Sequence, residues 1–404
     1  MAGTEFDLGS ILRPLEPSAF FEQYWEQRPL VLSRNQPDFY AGLFSMADAD
    51  SIISSTDLRH PAIRLVKQGA ELPLSHYTTD VPWSKDVFRA VADVTKVLAE
   101  YRRGATIVLQ ALHRSWPPFA RFCRNLETHF TYPLQTNVYL TPPSSQGFAP
   151  HYDTHDVFVL QIAGSKHWRL YGSPIPVPDH SLPSGSVRVD IGNPVHEVDV
   201  QPGDLIYLPR GYIHEALTSA SASLHVTVGI PVVTWIDVFS EAIALCRQDV
   251  RFRKAVPVGF ATHDQVSSAA HAQFDELLTV FAEHTQLDTV IGRLAERFIT
   301  SRLPLLEGQV LDMAAADELD VHTVVRKRPG MLHRLIVDDQ SVRLLFPGMT
   351  LRFPTYGEPL LRFVVEASDF TVNAMPGAID IDEKIGLVRR LIHAGFLMTV
   401  QDIP

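Results

Sequence analysis

Cysteine is nearly absent: Cys123 and Cys246 are the only two in 404 residues. That excludes a disulfide-stapled scaffold and a thiolate-rich zinc site, so any bound metal has to be held by histidine and carboxylate. Long hydrophobic runs are missing too. No stretch of about 18 apolar residues is available to span a bilayer. The opening Met1-Ala2-Gly3-Thr4-Glu5-Phe6-Asp7 has neither the basic nor the apolar region of a secretory signal. A cytoplasmic protein with no membrane partner is expected. A basic excess is the third absence. The formal charge of −11 disfavours direct binding to a nucleic-acid backbone and leaves a basic polypeptide as an electrostatically acceptable partner. Neither repeats nor low-complexity tracts occur, and the length sets about two to three domains.

The first third of the chain has the character of a framework. Phe20, Phe21, Tyr24 and Trp25 fall at helical spacing after Pro17-Ser18, with Ser18 as the expected N-cap and Pro29 as the stop before a strand at Leu30-Val31-Leu32. Further strands are expected near Ile63–Val66 and Thr106–Leu109, and a helix over Phe119–Phe130.

From 134 to 230 the chain becomes a series of short β-rich runs between Pro/Gly turns, the pattern of a β-sandwich or small barrel. Two runs alternate with polar side chains on one face: Asn137 and Tyr139 in the first, His225 and Thr227 in the second. Barrels of this size ordinarily fill with apolar side chains. A polar interior therefore implies a bound ligand or metal.

Residues 233–302 change to a helical period, with apolar positions at Trp235, Val238, Phe239 and Ile243, then Phe274, Leu277, Leu278 and Phe281, then Val290, Ile291, Leu294 and Phe298. Such stripes either cover the barrel or meet a second subunit. The remainder, 305–404, mixes strand runs such as Val342–Phe346 with a helix from Glu383 to Ala394 stopped by Gly395, which suggests a winged-helix-like module. Arg326-Lys327-Arg328 ahead of Pro329-Gly330 reads as a solvated turn rather than a nucleic-acid contact, given the acidic balance.

The chemistry concentrates at His151-Tyr152-Asp153, at the head of the apolar run Val157–Leu160. On a strand, side chains two apart share a face, so His151 and Asp153 are expected to point at one spot and Tyr152 away. His214 offers a third donor, reached through the Gly203-Asp204 turn, a short strand and the Pro209-Arg210-Gly211 turn. Two histidines and one carboxylate on an otherwise open metal form the facial triad of non-haem Fe(II) oxygenases. Splitting dioxygen needs two electrons beyond those of the oxidised C–H bond, and 2-oxoglutarate supplies them by losing carbon dioxide. Its far carboxylate then needs a cation inside the barrel. Lys166, fifteen residues after His151 and behind the Ala163-Gly164-Ser165 turn, is the candidate, with Asn137, Tyr139 and Thr227 as nearby hydrogen-bonding groups and Arg169 as the next cation.

These residues also carry a resemblance. Gln146-Gly147, His151-Tyr152-Asp153, Phe158–Gln161, Gly164, Lys166–Tyr171 and Gly203-Asp204 through Pro209-Arg210-Gly211 to His214 resemble the Jumonji-C ribosomal oxygenases, as does the opening Phe20-Phe21 with Tyr24–Leu30. The resemblance implies an α+β fold: a double-stranded β-helix (jelly-roll, cupin/JmjC) barrel with a helical dimerisation segment and a winged-helix-like end. It implies a catalytic domain over 1–232 with its metal-binding core at 134–230, a dimerisation segment over 233–304 and the terminal module over 305–404. His151, Asp153 and His214 would be the Fe(II) ligands, Lys166 the 2-oxoglutarate anchor, and Asn137, Tyr139 and Thr227 cosubstrate or pocket residues. O2 would be the oxidant, a ribosomal protein hydroxylated on arginine or histidine the substrate, and a homodimer the assembly. The Pro174–Gly192 loop carries no readable signature.

Competing readings attach to several residues. His155 shares the alternation of His151 and Asp153 and competes as a ligand, although the three-residue set is already complete. His167 and His196 read as surface or packing residues, Trp168 as core, and His225 as either pocket lining or a satisfied core histidine. The whole barrel could act on a peptide or a small natural product, or on a histone tail, or serve as a cupin-type binding or isomerase protein. Lys166 favours the oxygenase, because an isomerase has no need of a cation placed for a second carboxylate.

Overall fold

The computed structural model describes residues 6–186, 188, 190–262, 266–377 and 379–400; Val187 and Val189, in the Pro174–Gly192 loop, lie outside the described residues. The chain divides into two compact units, Met1–Val232 and Val233–Pro404.

The first unit opens with helices α1 (Leu8–Leu12) and α2 (Pro17–Gln23) and strand β1 (Leu30–Leu32), followed by α3 (Met46–Ser55), β2 (Ile63–Lys67), β3 (Ala70–Glu71), the ribbon β4 (Thr78–Trp83) and β5 (Asp86–Ala92), α4 (Val94–Arg102), β6 (Thr106–Leu109) and α5 (Pro117–Phe130). Seven strands complete it: β7 (Gln135–Thr141), β8 (Asp156–Ala163), β9 (Lys166–Gly172), β10 (His196–Val200), β11 (Leu205–Leu208), β12 (Ile213–Thr218) and β13 (Ser223–Ile230). The expected cap of α2 is corrected: Pro17 takes the first helical turn, and Glu16 stands at the cap without a side-chain bond. A proline with fixed φ and no N–H suits that position, which places Ser18 inside the helix. The helix also stops at Gln23, well before Pro29.

One sheet runs in the order β1-β11-β8-β13-β7-β6-β2-β3 and a smaller one β10-β9-β12, with antiparallel pairing throughout. The large sheet buries its outer face on the helices: Phe158 and Leu160 of β8 and Leu224, Val226 and Val228 of β13 join Phe20 of α2 and Phe119 and Phe122 of α5 in one core. Its inner face meets the small sheet through Val157, Val159, Ile206 and Leu208 against Trp168, Leu170 and Val200. Strand β8 is thus buried on both faces, the reason its run is apolar throughout. Strands β7 and β13 differ. Their inner positions stay polar, and pairing sets Thr227 opposite Asn137 and His225 opposite Tyr139.

The second unit carries α6 (Trp235–Cys246), α7 (Ser268–His284), α8 (Leu287–Ser301) and α9 (Gln309–Ala315), then β14 (Val324–Lys327), β15 (Arg334–Val337), β16 (Val342–Phe346), β17 (Met349–Phe353), α10 (Glu358–Glu366), β18 (Asp369–Thr371), α11 (Ile381–His393) and β19 (Leu397–Thr399). Two three-stranded sheets, β18-β14-β19 and β15-β16-β17, share a core with α10 and α11. The basic run at 326–328 is not a solvated turn. Arg326 lies on β14 paired with Asp369, and Arg328 is 3% exposed and held by Asp312.

Candidate metal centre

The two residues that open the site are not on a strand. Strand β8 begins at Asp156, so His151 and Asp153 occupy the segment ahead of it, and a shared strand face does not explain their convergence. His151 instead forms an isolated antiparallel bridge with His214: its N–H donates to the His214 carbonyl at 3.1 Å, and the return bond is 2.8 Å. The Gly211 N–H donates to the Asp153 carbonyl at 3.0 Å. Cross-bonding between two distant segments therefore does the work assigned to alternation. Gly211 has to be glycine, since its φ is +88° and a Cβ there would lie 2.3 Å from the Ile175 carbonyl oxygen.

Each histidine is oriented from behind. His151 Nδ1 lies 2.8 Å from the Ala149 carbonyl and His214 Nδ1 2.9 Å from the Tyr212 carbonyl. A carbonyl only accepts, so both Nδ1 atoms carry the proton and both Nε2 lone pairs are left to coordinate. One donor atom from each of His151, Asp153 and His214 lies within 4.8 Å of the others, with Asp153 Oδ2 3.7 Å from His214 Nε2. Burial works to raise the Asp153 carboxyl, but His214, His155 and His151 outweigh it and hold it below the usual range. Burial, with His151 nearby, pushes His214 down to about 4. Asp153 is therefore held as a carboxylate and His214 as a neutral imidazole, the forms in which each can bind a divalent metal. His155 is not part of this donor cluster among the described residues. Two imidazoles and a carboxylate on one side of a cavity fit a first-row divalent ion with open positions.

The donors open into a cavity of about 350 Å³ that is also lined by Asn137, Tyr139, Lys166 and Thr227; all seven residues singled out from the sequence reach one place. Alternation along β9 turns Lys166 and Trp168 inward. Lys166 is 5% exposed, and its Nζ donates to Thr141 Oγ1 at 3.1 Å. No ion pair of Lys166 with a carboxylate occurs among the described residues, and burial pushes its ammonium down to about 7. Burial pushes the Tyr139 hydroxyl up, with Thr227 and Asn137 acting the other way, and Asn137 Oδ1 accepts from the Ala111 N–H at 2.9 Å. His225 is pocket lining: it stacks on Tyr139 at 4.8 Å between centroids, its Nδ1 has no partner, and burial holds it well below its usual value. Trp168 belongs both to the inter-sheet core and to the cavity wall. His167 sits on the outer face between Glu197 and Asp199, and His196 is exposed.

Arg169 is corrected as the alternative cation. It lies outside the cavity, paired with Glu197 and Glu215. The cavity's other cation is Arg64 on β2, which sequence reasoning missed together with Phe148, Gln110 and Glu215. A charge inside the apolar run Ile63–Val66 was the signal for Arg64. Its face could not be assigned without knowing that β2 joins the sheet beside β6.

Residues 111–238 match the JmjC domain family. The chain is 30% identical to "Ribosomal oxygenase 1" of Gallus gallus over 397 residues, covering 92% of this chain and 63% of that one. It is 29% identical to "Ribosomal oxygenase 2" of Mus musculus, covering 73% and 64%. Residues 111–238 are thus a JmjC domain, and the chain resembles the ribosomal oxygenases. It spans just under two thirds of the length of those two relatives. A solved structure of YcfD, a ribosomal oxygenase from Escherichia coli in complex with cobalt and 2-oxoglutarate, has the same fold, with a TM-score of 0.56 at 16% identity over 96% of this chain and 99% of that one. The domain match and the shared fold agree with the mixed helix and sheet architecture around a JmjC/cupin barrel.

Proposed function

We propose that this protein is an Fe(II)- and 2-oxoglutarate-dependent oxygenase that hydroxylates a polypeptide side chain, an arginine or histidine of a ribosomal protein. Lys166 carries the reading: a buried ammonium bonded to one hydroxyl, in the cavity that holds the His151, Asp153 and His214 donors. An isolated buried cation is costly unless a ligand supplies the anion. A dicarboxylate chelating a metal at the triad with one end would deliver its other carboxylate to that ammonium. The similarity to ribosomal oxygenases and the 2-oxoglutarate bound by the Escherichia coli neighbour support the same assignment.

His151, Asp153 and His214 would hold the iron, which supplies oxygen activation coupled to oxidation of 2-oxoglutarate to succinate and carbon dioxide, one oxygen atom entering the target C–H bond. Lys166 anchors the cosubstrate, while Asn137, Tyr139 and Thr227 present hydrogen-bonding groups beside it. The Phe148 ring, 5.6 Å from that of His151 and 5.8 Å from that of Tyr139, limits water at the reacting end.

A homodimer formed by residues 233–304 is supported by the apolar side chains this segment leaves uncovered: Trp235, Ile236, Phe239 and Ile243 along α6, and Phe274 and Leu278 along α7, each more than half exposed. Residues 305–404 are assigned as a winged-helix-like module and 1–232 as the catalytic domain. No helix among the described residues is long and apolar enough to cross a membrane, and the assignment is to the cytoplasm. The net charge of −11 favours a basic protein over free nucleic acid as partner.

The test incubates the protein, Fe(II) and 2-oxoglutarate with peptides tiling the basic loops of ribosomal proteins and records mass. A one-oxygen gain on one loop is expected. Oxidation of an unrelated peptide or small molecule alone would overturn the ribosomal assignment.

A further inference from the structure

Residues 142–150, which join β7 to His151, lie in no helix or strand yet form part of the cavity wall through Gly147 and Phe148. They run as a strap between the two sheets. From the β2–β3 turn of the large sheet, the Gln68 N–H donates to the Gln146 carbonyl at 3.1 Å and the Gly69 N–H to the Gly147 carbonyl at 2.7 Å. From β12 of the small sheet, Leu217 makes an isolated bridge with Gln146, and the Thr218 N–H donates to the Ser145 carbonyl at 3.1 Å. Gly147 passes so close to β6 that a Cβ would lie 2.8 Å from Thr106 Oγ1. The main-chain anchoring ends there. Among the described residues, Phe148, Ala149 and Pro150 make no main-chain to main-chain hydrogen bond.

The Gln146 side chain takes over. Its Nε2 donates to the Phe148 carbonyl at 3.1 Å and to Glu215 Oε2 at 2.8 Å, which uses both hydrogens of the amide. Both partners only accept, so the nitrogen is the end that faces them. Glu215 follows His214 directly and is 8% exposed. Its other oxygen accepts from the Tyr171 hydroxyl and lies 3.5 Å from Arg169, so β9 fixes the carboxylate independently of Gln146. One amide therefore ties the main chain that carries the Phe148 ring, which neighbours the rings of both His151 and Tyr139, to the residue after His214.

We propose that Gln146 is a positioning residue for the hydroxylation, holding the Phe148 ring beside His151 so that 2-oxoglutarate is consumed only together with oxidation of the target side chain. The inference rests on the polypeptide-hydroxylase reading. A loosened ring admits water beside the donors and leaves the target C–H bond less well placed, and small misplacements of reacting groups carry large rate costs. In a cycle that misses the target, cleavage of 2-oxoglutarate to succinate and carbon dioxide still takes one oxygen atom of O2. The other is reduced to water by two electrons and two protons from a reductant such as ascorbate. Ascorbate-dependent succinate without hydroxylated product is thus the signature of a lost clasp.

The experiment compares wild type, Gln146→Met, Phe148→Leu and the double variant, each with Fe(II), 2-oxoglutarate, ascorbate and the ribosomal-protein peptide that gains oxygen in the tiling assay, and counts succinate against hydroxylated peptide. Methionine keeps the length of glutamine without its donors. Wild type is expected to form the two products in equal amounts, and Gln146→Met to raise the ratio of succinate to hydroxylated peptide by about 2- to 10-fold, in proportion to the lost hydrogen bonding. Phe148→Leu should raise it as well, and the double variant no further than Phe148→Leu alone, because the amide acts through the ring. Two measurements stand apart from turnover. Mn(II) affinity, read by electron paramagnetic resonance without oxygen, should stay within about threefold of wild type in Gln146→Met, less than the loss of a group behind a ligand costs. The 19F resonance of 4-fluorophenylalanine substituted at Phe148, single and sharp in the metal-free protein, should shift or broaden in Gln146→Met. An unchanged product ratio in Gln146→Met, additive effects in the double variant, or a fluorine signal indifferent to the substitution would overturn the role of Gln146 while leaving the hydroxylase reading intact. A loss of Mn(II) affinity beyond about tenfold would also overturn it, by placing the effect at the donors. No oxygen gain by any peptide with wild type would instead overturn the polypeptide-hydroxylase reading, and the inference with it.

Discussion

His151 and His214, sixty-three residues apart in the chain, exchange both of their backbone hydrogen bonds, at 3.1 and 2.8 Å. Each ring is also tied through Nδ1 to the carbonyl two residues before it. The donors are therefore set in position by the protein before any metal arrives, which lowers the ordering cost of binding.

Asp153 supplies the one anionic donor, so Asp153→Ala should lose most metal affinity. Loss of a group behind a ligand costs about 10- to 100-fold, and loss of a ligand should cost at least that. Mn(II) titration followed by electron paramagnetic resonance measures it, and an unchanged Kd would contradict the triad.

Lys166 should make cosubstrate binding pH-dependent. Its ammonium is pushed to about 7 in the ligand-free protein, and a carboxylate partner favours the charged form. Above that value each binding event takes up a proton, so 2-oxoglutarate affinity should fall by up to about tenfold per pH unit on the alkaline side. Lys166→Ala should flatten the profile and weaken binding by roughly 10²- to 10³-fold. Calorimetry in two buffers of different ionisation enthalpy reads both effects.

The same lysine should destabilise the empty protein. Its folded value, about 7, lies below its ordinary 10.5, so between those limits the unfolded chain holds more protons and stability rises with pH. The penalty is fully present below about pH 7. Lys166→Met should therefore raise the melting temperature of the ligand-free protein, and by more near about pH 6 than near about pH 10. A loss of stability at both would contradict the unpaired buried charge.

Asp156 is fully buried, accepting from the Tyr207 hydroxyl at 2.6 Å and from Arg210 at 2.9 Å. Arg210→Met strands that carboxylate and should cost about 3–5 kcal/mol. Since Arg210 stands in the turn leading to His214, metal affinity should fall as well. A change under about 1 kcal/mol in denaturant unfolding would show that the pair is not what holds the turn.

The dimer assignment predicts a mass near twice 45.2 kDa by light scattering. Phe274 is 62% exposed on α7, so Phe274→Glu should give monomer without lowering the melting temperature, because it leaves the subunit's own core intact. A wild-type mass of 45.2 kDa would contradict it.

How much of this was legible in the sequence varied with the range of the interaction responsible. The alternation in β7 and β13 showed which face is polar, because a strand's period is set locally, and Asn137, Tyr139, His225 and Thr227 do meet in the cavity. The grouping of His151 with Asp153 was legible but its cause was not, since the bridge that arranges it is made to a segment about sixty residues further along the chain. Arg169 looked equivalent to Lys166 by proximity in the chain, yet pairing with β10 and β12 turns it outward. Arg64 became visible only with the sheet order, which no local pattern contains. Arg328 illustrates the same limit: its buried partner Asp312 is on a helix before the strand.

The most direct test of the account is succinate formation from 2-oxoglutarate by the purified protein with Fe(II) and oxygen, run beside Asp153→Ala and Lys166→Ala. The account predicts succinate and carbon dioxide in equal amounts from wild type, a rate lower by at least about 100-fold in Asp153→Ala, and a Lys166→Ala rate recovered only at high 2-oxoglutarate. No succinate from wild type, or equal rates from wild type and Asp153→Ala, would contradict it.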